Sequence, residues 1–294
     1  MLATCRTAMA AAAFRNIALL LCTLLFALTP GSAQWIRKQT GCYADSMAAN
    51  PNRPTVADPA DITQYGVLEI EYGWDNVWPE KGVHQTSSGG LLKFALFCDI
   101  ELRWTTTSFL SQTTNGITQH GFGDNWIGTQ VRFYRQTKRV PSMALGYAAK
   151  IPSASSDNGL GSGRVDRALT LLVSKDISKL HFDFNATQFW IGRQGTHGFD
   201  LNNEANMAFS FHIHGPLQFT GELYGDTELN RGTPGFVSSL WAFTYTVRPR
   251  LVIDSGYEAG ITAGGPRRHA FVGFTYSIAN LYPGWRHRKA DPSH

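Results

Sequence analysis

The stretch that most constrains this chain is residues 180–192, read as LHFDFNATQFWIG. On an extended backbone, Leu180, Phe182, Phe184, Ala186, Trp190 and Gly192 share one side, with Gln188 as the exception. His181, Asp183, Asn185, Thr187, Phe189 and Ile191 share the other, which is polar for most of its length. A period of two is the mark of a strand and not of a helix. The run is longer than the roughly five or six residues usual in a soluble sheet. It is long enough to cross a bilayer at a tilt, which takes about 9–11 residues.

The same alternation recurs in pairs along the chain. It predicts strands near 67–74, 91–97, 99–109, 123–135, 140–151, 164–174, 179–192, 203–213, 217–228, 237–247, 250–257 and 269–278, twelve in all. Long polar connections are expected at 75–90, 110–121, 152–163, 193–202, 229–235 and 258–267. Short turns lie between them, at 136–139, 175–178, 214–216 and 248–249, and the second and third strands join almost without a loop. Strict alternation of long and short connections is what an even-stranded antiparallel transmembrane β-barrel with both termini on the periplasmic side requires. A soluble sandwich has no reason to space its loops so regularly.

The two faces support a barrel that sits in lipid. Glu69, Glu71, Glu101, Arg103, Arg132, Lys150, Asp183, Glu204, Glu222, Arg250 and Asp254 fall on the polar face, as lumen charges that set selectivity or satisfy one another. Trp74, Trp104, Trp190, Trp241, Tyr72, Tyr147 and Tyr276 fall on the other face, several near strand ends as interfacial aromatic girdles do. Charged residues make up only 16% of the chain and aromatic residues 12%, a balance suited to lipid contact.

The N-terminus bears on the compartment. Arg6 and Arg15 precede the apolar run 17–28, and Gly31-Ser32-Ala33 offers small residues for cleavage. This is the layout of a secretory signal peptide, too short to span a bilayer as a helix. The expected organisation is a signal peptide over 1–33, an irregular Pro-containing periplasmic lead-in over 34–60, the barrel over 61–282 and a basic tail over 283–294. Removing Arg6 and Arg15 leaves 24 basic and 22 acidic residues, a net +2 that is no nucleic-acid signature. Cys5 and Cys22 leave with the signal peptide. Cys42 and Cys98 remain as an even pair in an oxidising compartment, a candidate disulfide that spacing alone does not establish.

Some short motifs carry a family resemblance. Gly121-Phe122-Gly123-Asp124 opens a strand, Glu101-Leu102-Arg103 precedes it, and Pro152 is followed by Gly159-Leu160-Gly161-Ser162-Gly163. Over residues 66–282 the chain resembles the outer-membrane transporter-like family labelled as meta-pathway phenol-degradation proteins. The resemblance implies an outer-membrane barrel and a link to aromatic compounds. The chain departs from many outer-membrane proteins in ending on a basic tail after Tyr282 and not on an aromatic residue.

Candidate chemistry is sparse. The Gly159–Gly163 glycines precede a strand, whereas a phosphate loop must open a helix, so an external loop fits better. His212 and His214 share a face and His181 falls opposite them, a weak zinc or copper candidate. Asp183, Ser210 and His212 share the same lumen region, so a Ser/His/Asp hydrolase is conceivable, although nothing marks an oxyanion hole. Arg267-Arg268 in the last long loop is a candidate contact for lipopolysaccharide phosphates. The reading favoured is a passive, cofactor-free outer-membrane channel or transporter for small molecules, hydrophobic or aromatic ones included. The alternatives are an outer-membrane hydrolase and a closed barrel that anchors or binds partners, since a small barrel can be filled by its own side chains.

Overall fold

The computed structural model describes residues 47–193, 195–228 and 234–282. The expected signal peptide, Cys42 and the basic tail lie outside the described residues. Among the described residues no helix is long and apolar enough to cross a membrane.

Thirteen antiparallel strands form one sheet that closes on itself. They are β1 (Val67–Trp78), β2 (Val83–Phe97), β3 (Ile100–Thr114), β4 (Ile117–Gly121), β5 (Asn125–Tyr134), β6 (Ser142–Ile151), β7 (Arg167–Ile177), β8 (Leu180–Gly192), β9 (Phe199–His214), β10 (Leu217–Asp226), β11 (Phe236–Arg248), β12 (Leu251–Gly260) and β13 (Arg268–Asn280). The short β4 pairs only with the outer end of β3, so twelve strands make the ring. Closure comes from β1 against β13, in register from Val67↔Asn280 to Trp78↔Arg268. A closed ring leaves no row of unpaired backbone groups, the condition for a sheet in hydrocarbon.

The wall is inside-out relative to a soluble core. Glu69 and Lys93 are 0% exposed and Glu101 2%, whereas Trp104 and Trp241 are each 49% exposed on the outer face. That is the apolar-out, polar-in alternation of an outer-membrane-type barrel.

Two expected long loops are strands instead. β1 continues to Trp78 and β2 begins at Val83, so the loop expected over 75–90 is a turn of four residues, 79–82. The loop expected over 110–121 is the β3–β4 hairpin, turning at Asn115-Gly116. Both extensions carry mostly polar residues, such as Gln85–Ser88 and Ser111–Thr114. The backbone ladder continues there while the hydrophobic alternation that reveals a strand lapses.

The lead-in is irregular in backbone, and its described part, 47–66, runs inside the barrel. Its contacts follow the ring in order. Asn50 and Asn52 meet Glu69 and Glu71 on β1, and Arg53 meets Asp254 on β12. Val56 and Ala57 meet Glu222 on β10, and Asp58 meets Asn185 on β8. Ala60 meets Ser174 on β7, Asp61 meets Arg132 on β5 and Ser142 on β6, and Thr63 meets Glu101 on β3. This segment, here called the strap, circles once around the inner wall before the chain turns into β1. Pro51, Pro54 and Pro59 lack the donor a ladder needs, so the strap cannot add to the wall as a strand.

Candidate functional site

Enclosed backbone amides need acceptors, and the wall carboxylates provide them. Glu222 accepts from Val56 N at 2.8 Å and from Ala57 N at 2.7 Å. Glu71 accepts from Asn52 N at 2.8 Å and Arg53 N at 3.0 Å, Glu69 from Asn50 N at 2.9 Å, and Glu101 from Thr63 N at 2.8 Å. Hydrogen bonds to charged groups contribute about 1.5–3 kcal/mol each. The strap is therefore held by a ring of directional polar contacts. Its apolar anchoring comes from three buried side chains, Ala57, Ala60 and Ile62, with Ala60 in a cluster with Ala144 and Leu172.

Cations complete the set. Lys93, fully enclosed, stands 2.8 Å from Glu69 and 2.6 Å from Glu71, and donates to Asn50 O and Asn52 Oδ1. Arg103 pairs with Asp58 of the strap at 2.7 Å, and Arg132 bridges Asp61 of the strap and Asp99. Arg53 of the strap reaches Asp254 at 3.0 Å. Of the charges expected in the lumen, Glu69, Glu71, Glu101, Arg103, Arg132, Glu222 and Asp254 are thus brought together by the strap.

The remaining candidates lie elsewhere. Lys150 is bound to Asp166, with Asp124 at 3.5 Å, near the β6–β7 loop. Arg250 sits in the turn between β11 and β12, donating to Ser277 O, with its guanidinium 5.3 Å from the Tyr276 ring of the outer face. Asp183 accepts from Ser174 Oγ and lies 3.2 Å from His181 Nε2, while His181 Nδ1 is 2.7 Å from Asp176. Both nitrogens of His181 are thereby engaged. His212 lines a neighbouring cavity without His181 or Ser210 as a hydrogen-bond partner among the described residues, and His214 is exposed. No three His, Cys, Asp or Glu side chains among the described residues are grouped to hold a metal ion. Cys98 is disulfide-bonded.

The strap divides the lumen. Toward the short turns lies a cavity of about 540 Å³, walled by Asn50–Thr55 of the strap and by His181, Asp183, Ser210 and His212. Toward the long loops lies one of about 230 Å³, walled by Val56 and Asp58 of the strap and by Arg103, Trp126, Asn185, Phe189 and Glu204. An outer vestibule of about 240 Å³ shares Trp126, Phe189 and Glu204 with it and adds Asp226 and Phe236.

Sequence reasoning passed over Lys93, Arg53, Asp58, Asp61, Trp126 and Phe236. Lys93 carried a signal, as the lone charge within the apolar run Leu91–Phe97 of β2. The strap residues carried none, because their partners come from nine different strands.

No protein-family model and no curated protein matches the sequence. The phenol-degradation resemblance thus rests on its short glycine motifs. Among solved structures, the COG4313 outer membrane channel from Pseudomonas putida F1 aligns with a TM-score of 0.58 at 11% identity, over 80% of this chain and 99% of that one. The NanC porin aligns at 0.49 and 13% identity, over 72% of this chain and 100% of that one. The KdgM porin in complex with disordered oligogalacturonate aligns at 0.46 and 10%, over 72% and 99%. At 11% identity the likeness to the first of these is one of fold, the closed antiparallel β-barrel of an outer-membrane protein.

Proposed function

We propose that the protein is a passive, cofactor-free outer-membrane channel for small molecules, hydrophobic or aromatic ones included, with its short turns and termini in the periplasm. One observation carries the reading: a strap held mainly by polar contacts separates two cavities, each of which it walls. Water can replace hydrogen bonds and ion pairs as a strap moves, whereas an apolar plug would expose hydrophobic surface. Trp126 and Phe189 on the lumen face favour solutes with an apolar or aromatic body. The strap also supports a second reading, a closed barrel that binds without conducting.

Single-channel recording in a planar bilayer separates the two. The channel reading expects steady ohmic steps from the wild type, and larger or more frequent steps from Glu222→Gln, which weakens the grip on Val56 and Ala57. Silence from folded wild-type and Glu222→Gln protein, together with no solute uptake into proteoliposomes, would establish the closed barrel.

A further inference from the structure

Resting on the channel reading, a narrower statement concerns what the long-loop half of the lumen takes. Glu204 on β9 and Asp226 on β10 stand directly opposite each other in register. Like charges so placed destabilise a sheet pair. Other lumen carboxylates have partners: Glu69 and Glu71 pair with Lys93, Asp254 with Arg53, and Glu258 and Asp75 with His269, while Glu222 accepts two strap amides. Among the described residues, neither Glu204 nor Asp226 has a cationic partner, and Asp226 Oδ1 is enclosed without a hydrogen bond. Among the described residues, Lys150 is committed to Asp166 and Arg103 to Asp58.

A second observation points the same way. Asn206, two residues along β9 on the same lumen face and beside Asn185 of the inner cavity, is 1% exposed. Neither its Oδ1 nor its Nδ2 is hydrogen-bonded. The amide lies beside the Glu204 and Glu222 carboxylates, adding an incompletely bonded polar group to the acidic side of the lumen. The rings of Trp126, Phe189 and Phe236 line the same vestibule, with Phe236 in register with Asp226 and Phe189 on the strand beside Glu204. Aromatic faces attract cations as well as apolar surface.

We propose that this vestibule is a binding site for a small organic cation with a flat apolar body, its ammonium between Glu204 and Asp226 and its body against Trp126, Phe189 and Phe236. The vestibule, at about 240 Å³, falls below the roughly 300–1,000 Å³ of sites for drug-sized ligands, which restricts the guest to about one ring with a short amine arm. The acidic pair rejects the corresponding carboxylate by like-charge repulsion.

The test is calorimetric titration of the refolded mature chain in detergent with phenethylammonium, phenylethanol and phenylacetate, with heat-modifiable gel migration reporting that each protein is folded. The expected result is phenethylammonium binding at least tenfold more tightly than phenylethanol, with phenylacetate weakest. The preference should vanish in Glu204→Gln/Asp226→Asn, and Trp126→Leu should weaken phenethylammonium at least threefold. If the double variant does not fold, each single variant is expected to lose at least threefold. Equal or tighter binding of phenylacetate, or an acidic-pair variant that keeps the preference, overturns the proposal. Conductance recorded on the same protein keeps the two readings apart. A conducting protein without cation preference loses only this site, and a binding protein without flux loses only the channel.

Discussion

Gly73 on β1 and Gly273 on β13 stand opposite each other across the seam that closes the barrel, and the Arg53 guanidinium lies against both. A Cβ at Gly73 would come within 2.5 Å of Arg53 Nη1, and one at Gly273 within 2.5 Å of Nε. The two glycines leave a flat seat from which Arg53 reaches Asp254, itself in register with Gly273. The Phe271 ring, 5.8 Å from the guanidinium, completes the niche.

Filling the seat should free the strap. Gly273→Ala is expected to expel Arg53 from Asp254 at a cost of about 1–3 kcal/mol, the usual range for overpacking. The barrel should still fold, and the strap around Arg53 should become more open to proteolysis. An unchanged digestion pattern would show that the guanidinium is not what holds the strap there.

Lys93 sets a larger effect. Lys93→Met leaves Glu69 and Glu71 enclosed without their cation, and breaking a buried pair costs about 3–5 kcal/mol. Urea unfolding of the refolded protein in detergent should register that loss. Adding Glu69→Gln and Glu71→Gln to Lys93→Met should recover much of it, because the uncompensated charges are then gone. No recovery in the triple variant would place the loss in packing and not in charge.

The lipid face is testable against its neighbour on the same strand. Phe243 on β11 is 48% exposed outside, whereas Thr244 beside it faces the lumen. Phe243→Arg is expected to cost about 2–4 kcal/mol if it lies near the bilayer midplane. Thr244→Arg should instead leave insertion intact and alter conductance. Equal tolerance of both in a liposome-folding assay would argue against a lipid-facing wall.

The disulfide of Cys98 offers a covalent check on the strap's entry. Cleavage of the mature protein under non-reducing conditions should release a peptide pair joining Cys98 to Cys42. Such a bond would tie the chain preceding the strap to the β2–β3 turn, at the short-turn end. Intermolecular Cys98 linkage would remove this tether.

The sequence by itself determined the wall. A strand with one face in lipid and the other in a polar lumen must alternate, so LHFDFNATQFWIG and its counterparts showed their facing and order without any tertiary knowledge. The alternation of long and short connections placed the hairpins, and with them both ends of the ring on one side. The outer extensions of β1 to β4 escaped notice because the ladder continues there without an apolar face. Only the tertiary structure decided what the lumen charges hold. Glu69, Glu71, Glu101 and Glu222 are legible as inward-facing carboxylates. That they accept the amides of an irregular segment depends on ring closure, which brings strands far apart in sequence around one strap. The strap has no periodicity to read, since its bonds run from a proline-broken segment to side chains on nine strands. The vestibule is likewise a tertiary product: Trp126, Phe189 and Phe236 come from β5, β8 and β11, and the closed wall gathers them with Glu204 and Asp226.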